Sequence, residues 1–496
     1  MRASRDPSRA EMIGFVLVNH ETFRQLGHEL VDWVADYRER IASFPVRSPV
    51  APGDIRRRFA AEPPRTGGRL PEAIAALERD VLPGITHWNH PSFFAYFPSN
   101  TSYASVLADL VASGLGAQGM SWETSPAATE VEEVVMEWLR QMVGLPPAFS
   151  GVIHDTASTA TLCALLCARE RSTDHGQSRQ GLQGSGPPLV VYASDQAHSS
   201  VEKAALLAGF GKENLRFVAS DEAHAMRADA LGAALERDRR DGLRPCAVVA
   251  TSGTTGTTAL DPVAAAADLA ARHGAWLHVD AAMAGSAMVL PECRWMWEGV
   301  ARADSVVLNP HKWMGVGNDF SAFFVRDPEH LVRVMSTNPS YLRTAHDREV
   351  KNFRDWGIPL GRRFRALKMW FLLMDVGVEG MQARLRRDLE NARWLESQVA
   401  ATPDWELLAP VPLQTVVLRH RPVGETDEER LGAHNRALAV RLHESGRAYL
   451  TPSLLKGKQT LRVSIGAEPT ERAHVEALWR DLQAAAAGEP KPLSRK

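Results

Sequence analysis

Cysteine is scarce in this sequence, with four residues in 496. Cys163, Cys167 and Cys246 have largely apolar neighbours, Cys293 lies among charged residues, and their spacings match neither a disulfide framework nor a paired metal-ligand motif. Cysteines used in this way are typical of a reducing compartment. We therefore expect a cytoplasmic protein without structural disulfides and without a metal site.

The chain also lacks an excess of charge of either sign and any long apolar run. Its 57 lysines and arginines nearly balance its 59 aspartates and glutamates, so the long-range field that attracts nucleic acid or an anionic membrane surface is missing. No stretch of about 18 uninterrupted apolar residues occurs, and residues 1–10 are charged and lack the apolar region of a signal peptide. We therefore expect neither a nucleic-acid partner nor a membrane span.

What remains is the composition of a large globular protein. Hydrophobic residues make up 45% of the chain and charged residues 23%, which is typical of globular proteins. At about 100–200 residues per domain, the 496 residues predict roughly three domains. Residues 21–41 place Phe23, Leu26 and Leu30 at steps of three and four, which predicts an amphipathic helix. Its apolar face needs a partner surface, and we expect residues 1–100 to form an N-terminal helical segment that packs on a partner subunit.

Strand and helix patterns alternate through the middle of the chain. Helical patterns separate short β-rich runs at 189–192, 247–251, 276–279, 305–308 and 322–325. This alternation predicts an α/β fold with a mostly parallel central sheet flanked by helices. We expect residues 101–370 to form this large domain, and the mixed patterns at 371–496 predict a smaller α+β C-terminal domain.

Ligands bind at the carboxyl ends of the strands in open parallel sheets, so the residues that follow each strand are candidate site residues. The residues after the four runs between 189 and 308 include, in chain order, His198, Thr255, Asp280, Asn309, His311 and Lys312. The interval from Asp280 to Lys312, 312 − 280 = 32 residues, leaves room for one crossover helix. Adjacent strands can therefore bring both residues to one site.

The chemistry of these residues points to one cofactor. Apolar neighbours of Lys312 disfavour its charged form, which lowers its pKa and makes the amine a nucleophile towards a carbonyl. Asp280 emerges from a buried strand and needs a cationic partner. Pyridoxal phosphate supplies an aldehyde for the lysine and a protonatable ring nitrogen for the carboxylate. Hydroxyls at 156–161 open a helical pattern, which is typical of a phosphate site, and His198 could cover the ring.

Each of these residues has a more ordinary interpretation when it is taken alone. A lysine at a strand end is usually a surface residue, an aspartate there is usually a cap or turn residue, and hydroxyls before a helix usually cap it. Only the combination, in this order and at strand ends, favours a pyridoxal phosphate site.

Four motifs carry a resemblance to a known family. Residues 194–200 (SDQAHSS), 278–282 (HVDAA), 309–313 (NPHKW) and 359–365 (PLGRRFR) resemble the group II pyridoxal-phosphate-dependent decarboxylases, and most of all the aromatic-L-amino-acid decarboxylases. The similarity extends from about residue 21 to about residue 482. It implies an aspartate-aminotransferase-like (type I) fold and a homodimer with active sites at the subunit interface.

The resemblance also assigns roles by motif. Lys312 is similar to the lysine that reacts with the cofactor aldehyde, Asp280 to the partner of the ring nitrogen, and His198 to the histidine stacked on the ring. The expected cofactor contacts are Ala157, Ser158, His198, Thr255, Asp280, Ala282, Asn309, His311 and Lys312. The expected substrate contacts are Trp88, Tyr96, Phe97, Pro98 and Ser99, with Gln118, Gly119 and Met120 contributed by the other subunit.

The implied reaction is decarboxylation of an aromatic L-amino acid (tryptophan, DOPA, tyrosine or phenylalanine) to its amine and carbon dioxide. Residues 336–343 resemble the start of a mobile loop whose tyrosine, here Tyr341, donates a proton. The catalytic residues would then be Lys312, Tyr341, His198 and Asp280.

Three alternatives remain open at this point. An aromatic aldehyde synthase would decarboxylate and oxidatively deaminate the substrate, but the related plant enzymes carry phenylalanine at the tyrosine position, so Tyr341 and His198 favour simple decarboxylation. An aminotransferase would need an arginine for the substrate α-carboxylate, for which only Arg462 is a candidate. A regulatory module that merely binds the cofactor would need a DNA-reading domain, and the charge balance argues against one.

Overall fold

The computed structural model describes residues 18–181, 186–337, 346 and 349–488. Its strands are β1 Phe93–Phe94, β2 Ser150–His154, β3 Leu189–Ser194, β4 Leu215–Val218, β5 Arg244–Thr251, β6 Trp276–Asp280, β7 Ser305–Leu308, β8 Ser321–Val325, β9 Trp405–Leu407, β10 Thr415–His420, β11 Tyr449–Leu455 and β12 Lys458–Ser464. Its helices are α1 His20–Arg40, α2 Leu70–Ala76, α3 Tyr103–Leu115, α4 Pro126–Met142, α5 Ala157–Ser172, α6 Gly176–Gln180, α7 Ser199–Leu207, α8 Ala228–Arg240, α9 Val263–His273, α10 Pro310–Trp313, α11 Pro328–Met335, α12 Ala366–Ala400, α13 Glu428–Glu444 and α14 Arg472–Ala486.

The central sheet has seven strands in the order β2-β8-β7-β6-β5-β3-β4. Its strands run parallel except β8, which is antiparallel to both of its neighbours. This confirms the predicted α/β fold with a mostly parallel sheet. The five β-rich runs of the sequence are all strands, whereas β2 and β4 were missed because Gly151 and Arg216 interrupt their short apolar patterns.

Helices cover both faces of this sheet. On β5, Val248 and Ala250 face one buried cluster, and Ala247 and Val249 face the other. Helix α5 packs in the second cluster and α9 in the first. Burying a valine side chain stabilises the fold by about 1.5–3 kcal/mol. A strand that is buried on both faces therefore has a fixed position and register in the sheet. The carboxyl ends of β3, β5, β6 and β7 are thereby held along one edge.

The connection from β6 to β7 differs from the expected single crossover helix. It consists of three short 3₁₀ segments, Ala284–Val289, Pro291–Trp297 and Val300–Arg302. Pro291 opens the second segment, where its ring and its missing N–H prevent an α-helix from continuing. Gly299 has a φ of 92°, a conformation that ends a helical segment. The expectation of one helix was therefore wrong, although β6 and β7 are adjacent.

A second sheet, in the order β1-β11-β12-β10-β9, combines the C-terminal strands with one short N-terminal strand. Strand β1 pairs in parallel with β11 through Phe93 and Tyr449. The other strands of this sheet are antiparallel. Helices α13 and α14 and the second half of α12 cover it. The C-terminal region is therefore α+β, as predicted.

Helix α12 connects the two sheets. It is one element that is kinked at Gly377, whose φ is 63°. The predicted N-terminal helix is also present as α1, where the Asn19 side chain accepts a hydrogen bond of 2.8 Å from the Thr22 amide. Among the helices that the structure describes, none is long and apolar enough to span a bilayer.

Candidate active site

A cavity of about 210 Å³ opens at the carboxyl ends of the parallel strands. It brings together all of the expected cofactor contacts, namely Ala157, Ser158, His198, Thr255, Asp280, Ala282, Asn309, His311 and Lys312. Thr156, Ser200, Thr251, Gly253, Met283 and Phe97 complete its lining. A larger cavity of about 420 Å³ lies at the amino ends of β3 and β5, where Arg169 already pairs with Glu170. The smaller cavity is therefore the candidate site, because it holds the strand-end groups.

Lys312 is partly accessible through this cavity, while protein surrounds its amine on the other sides. Burial lowers the pKa of Lys312 to about 8, an effect that Asp280 partly offsets and Arg462 reinforces. This shift from 10.5 corresponds to about 3 kcal/mol against the ammonium form. The Lys312 Nζ lies 5.0 Å from the centre of the Phe97 ring. The amine is therefore available as a nucleophile close to neutral pH.

Asp280 ends β6 and is only 4% exposed. Its Oδ1 accepts a hydrogen bond of 3.1 Å from the Ala282 amide, which turns the chain along the cavity wall. His278, two residues earlier, is fully buried between Ser305 and Thr161, and burial lowers its pKa to about 4. This histidine is therefore neutral and gives the Asp280 carboxyl no counter-charge, so the Asp280 side chain in the cavity wall suits a cationic ligand group.

The first turn of α5 supplies an anion site on another wall of the cavity. The Thr156 side chain caps the helix through the Thr159 amide at 3.4 Å. The amides of Ala157 and Ser158 lie in the first turn, where N–H groups have no intrahelical acceptor. Because these donors and the Ser158 hydroxyl adjoin the cavity, the position favours a phosphate group.

His198 sits at the cavity mouth and caps α7. The Ser200 amide donates to the His198 Nδ1 at 3.1 Å, so Nδ1 is an acceptor and the neutral ring carries its proton on Nε2. Surrounding protein lowers the pKa of His198 through desolvation, Asp280 raises it, and Lys312 lowers it further. The imidazole is therefore a flat, neutral ring at physiological pH.

Asn309 and His311 fix the turn that carries the lysine. The Ser321 hydroxyl donates to the Asn309 Oδ1 at 2.7 Å, and the Phe320 amide lies 3.2 Å from the His311 Nδ1. Burial and the nearby charge of Lys312 lower the pKa of His311 to about 4. Both side chains thus tie α10 to the strand that follows it.

The expected substrate contacts are only partly brought together within one chain. Phe97 lines the cavity, whereas Trp88, Tyr96, Pro98 and Ser99 do not. The Trp88 and Tyr96 rings stack on each other with 5.5 Å between their centres. The Tyr96 side chain is half exposed.

Gln118, Gly119 and Met120 lie away from the cavity of their own chain and bind the segment around the 359–365 motif. The Arg362 amide donates to the Gln118 Oε1 at 2.6 Å, and the Gly119 amide donates to the Arg362 carbonyl at 2.8 Å. The Met120 carbonyl accepts from the Arg354 amide. Tyr341, the expected proton donor, lies outside the described residues.

Sequence reasoning missed several residues near the lysine and named Arg462 only as a candidate for the aminotransferase alternative. Thr251 has a buried hydroxyl without a hydrogen-bond partner among the described residues. Arg462 lies 4.4 Å from the Phe97 ring centre, and burial lowers its pKa to about 10. Asn100 and Asp388 bind Lys312 and Trp313 directly. No local pattern identifies these residues, because their partners are distant along the chain.

Comparison with known proteins places this geometry in a family. The conserved domain of pyridoxal-dependent decarboxylases matches residues 52–421. The chain is 41% identical over 479 residues to aromatic-L-amino-acid decarboxylase of Mus musculus, covering 93% of this chain and 96% of the mouse protein. It is 39% identical over 476 residues to phenylacetaldehyde synthase of Arabidopsis thaliana, covering 94% and 96%.

A solved structure gives the same result. The crystal structure of Oryza sativa TDC with PLP and tryptamine superposes with a TM-score of 0.92 at 37% identity, covering 96% of this chain and 99% of that chain. This chain belongs to the pyridoxal-dependent decarboxylase family.

Proposed function

We propose that this protein decarboxylates an aromatic L-amino acid (tryptophan, DOPA, tyrosine or phenylalanine) to the corresponding amine and carbon dioxide, with pyridoxal phosphate as its cofactor. The observation that carries the proposal is the pairing of a lysine of lowered pKa with a buried aspartate in one cavity. The similarity to aromatic-L-amino-acid decarboxylase supports the substrate class.

The residues of the cavity fit the cofactor. Lys312 would hold its aldehyde carbon, Asp280 its ring nitrogen, and the first turn of α5 its phosphate. The buried Thr251 hydroxyl, unpartnered among the described residues, gives the cavity a further free polar group. Ala282 and His198 would flank the ring, with Thr255, Asn309 and His311 as further contacts.

When bound, pyridoxal phosphate supplies an aldehyde that condenses with amines and a ring that accepts the electrons of the bond to the departing carboxylate. Asp280 would hold a proton on the ring nitrogen, which would increase the ring's capacity to accept those electrons. The neutral His198 ring covers one side and excludes water without adding charge. The Lys312 amine would hold the cofactor aldehyde between turnovers, when no substrate amine is bound. Tyr341 would return a proton to the substrate Cα.

The lining of the cavity favours an aromatic side chain. Phe97 and Met283 provide buried apolar surface. Among the described lining residues there is no arginine to pair with a side-chain carboxylate such as that of glutamate. The substrate pocket would be completed by Trp88, Tyr96, Pro98 and Ser99, and by Gln118, Gly119 and Met120 of a second subunit.

The reaction products distinguish decarboxylation from the aldehyde synthase reaction, which the similarity to the Arabidopsis relative raises as the alternative. We expect the cofactor-loaded enzyme, incubated with an equimolar mixture of amino acids, to release aromatic amines and carbon dioxide in equal amounts, because Tyr341 and His198 are both present. Amines are identified by mass spectrometry, and hydrogen peroxide and ammonia are measured in parallel. Peroxide and ammonia in stoichiometric amounts would contradict the proposal.

The lowered pKa of Lys312 predicts how cofactor binding depends on pH. The rate at which the apoprotein forms its bond with pyridoxal phosphate should rise with pH and level off above about 8, since only the free amine reacts. Replacing Asp280 by Asn removes the charge that raises this pKa, so the midpoint should fall further. Asp195→Asn, at the end of β3 but outside the cavity lining, is the control. The rates are measured by stopped-flow absorbance, and a wild-type midpoint near 10.5 would refute the assignment.

A homodimer with active sites at its interface accounts for two features of the single chain. Helix α3 exposes a row of apolar residues, Tyr103, Leu107, Leu110, Val111 and Leu115, and α1 exposes Phe23 and Val31. Gln118–Met120 follow α3 directly, so a partner bound there would receive them. The four free, buried cysteines support a cytoplasmic location for this dimer.

A charge on α3 tests the dimer. Leu110→Glu should raise the dimer dissociation constant by about 100-fold or more, because it would bury an unpaired carboxylate. Catalytic activity should fall with the dimer fraction, as each site loses Gln118–Met120 of its partner. Leu207→Glu, at a comparably exposed leucine on α7, should leave both unchanged. Sedimentation measures the association state, and a Leu110→Glu variant that remains an active dimer would disprove this interface.

A further inference from the structure

Asn100 connects the reactive lysine to the C-terminal sheet. Its Nδ2 donates to the Lys312 carbonyl at 3.1 Å and to the Gly466 carbonyl at 2.6 Å. Its Oδ1 accepts from the Glu468 amide at 2.7 Å. One side chain therefore joins the turn that carries the lysine to the segment that follows β12.

The Lys312 carbonyl needs such a donor because its helix is too short to supply one. Helix α10 contains four residues, so its last carbonyls have no N–H one turn later to accept from. Asn100 is fully buried, and water cannot take its place. Without the Asn100 amide, the carbonyls of Lys312 and Gly466 would be left as buried unpaired acceptors.

The residues around Asn100 bridge the same two parts of the chain. The centre of the Phe97 ring lies 5.0 Å from the Lys312 Nζ and 4.4 Å from the Arg462 guanidinium carbon. A Cβ atom on Gly466 would approach Pro98 Cγ to 2.9 Å and Trp313 Cδ1 to 3.1 Å. Only glycine therefore lets the 466 backbone come close enough for its carbonyl to reach Asn100.

Trp313, the residue after the lysine, has its own anchors on α12. Its indole N–H donates to the Asp388 carboxylate at 2.9 Å, and Arg384 donates to its carbonyl. These contacts fix residue 313, while the Lys312 amide donates to the Asn309 carbonyl at 2.9 Å and the Lys312 carbonyl accepts from Asn100. The lysine backbone is thus held from two independent sides.

We infer that Asn100 is a positioning residue for the reaction of Lys312. It fixes the lysine backbone relative to the C-terminal sheet, so that the amine enters the cavity at the orientation that addition to a carbonyl requires. The inference rests on the proposed role of Lys312. Misplacement of a reacting group by about 1 Å is enough to slow a reaction by up to about 100-fold.

The test compares apoproteins of the wild type with Asn100→Asp, Asn100→Ala and Asn89→Ala. The aspartate variant keeps the shape and the acceptor for Glu468 but loses both donors. Asn89 is the matched control, since it accepts from the Thr101 amide at 3.2 Å in the same segment and does not contact Lys312. Each protein is mixed with pyridoxal phosphate, and the change in absorbance with time measures formation of the bond between Lys312 Nζ and the aldehyde carbon. The aldehyde oxygen leaves as water. Melting temperatures report folding.

We expect the rate constant per folded molecule to fall about tenfold or more in Asn100→Asp, and to stay within about twofold of wild type in Asn89→Ala. A wild-type rate constant in a folded Asn100→Asp variant would overturn the inference. It would also be overturned if both Asn100 variants failed to fold while Asn89→Ala folded, since Asn100 would then maintain the fold alone. A wild-type protein that forms no lysine bond would instead reject the proposed function.

Discussion

The desolvated amine of Lys312, placed in one cavity with the Asp280 carboxylate, is the constraint on which the rest of this structure depends. A second buried lysine, Lys368, shows the contrast with an amine that is hydrogen-bonded. Lys368 donates to the carbonyls of Gly317 and Asn318 at 2.9 and 3.0 Å, so its ammonium is fully used in holding a loop. Within the described part of the chain, no hydrogen bond holds the Lys312 Nζ. The fold thus leaves the Lys312 amine at the cavity and uses the Lys368 amine to hold a loop.

The central sheet places Lys312 and Asp280 in the same cavity. Adjacent parallel strands buried on both faces bring Asp280 and the turn before Lys312 to the same edge, whatever the form of the connection between them. The 3₁₀ segments of that connection replace the expected helix without moving either strand end. Helix α5 adds its first turn to the same cavity. Binding of a cofactor that is charged at two ends therefore follows from strand order and helix direction.

The sequence is sufficient to predict the fold class and the residues at the strand ends, because continuous apolar strands and the groups that follow them are local patterns. It fails where contacts join distant residues. Asn100 binds a residue 212 positions away, and Trp313 binds Asp388 across 75 positions. Strands β2 and β4 were missed because one glycine or arginine is enough to hide a short strand. Much of the predicted substrate wall lies outside the cavity that the described part of one chain forms.

The most direct test of the central claim is to locate the cofactor on the chain. The loaded protein is reduced with borohydride, which makes the bond between lysine and cofactor permanent, and is then digested and mapped by mass spectrometry. The account predicts that the added mass of the reduced cofactor appears on the peptide that contains Lys312 and on no other. Label on Lys368 or on a surface lysine, or no label at all, would contradict it.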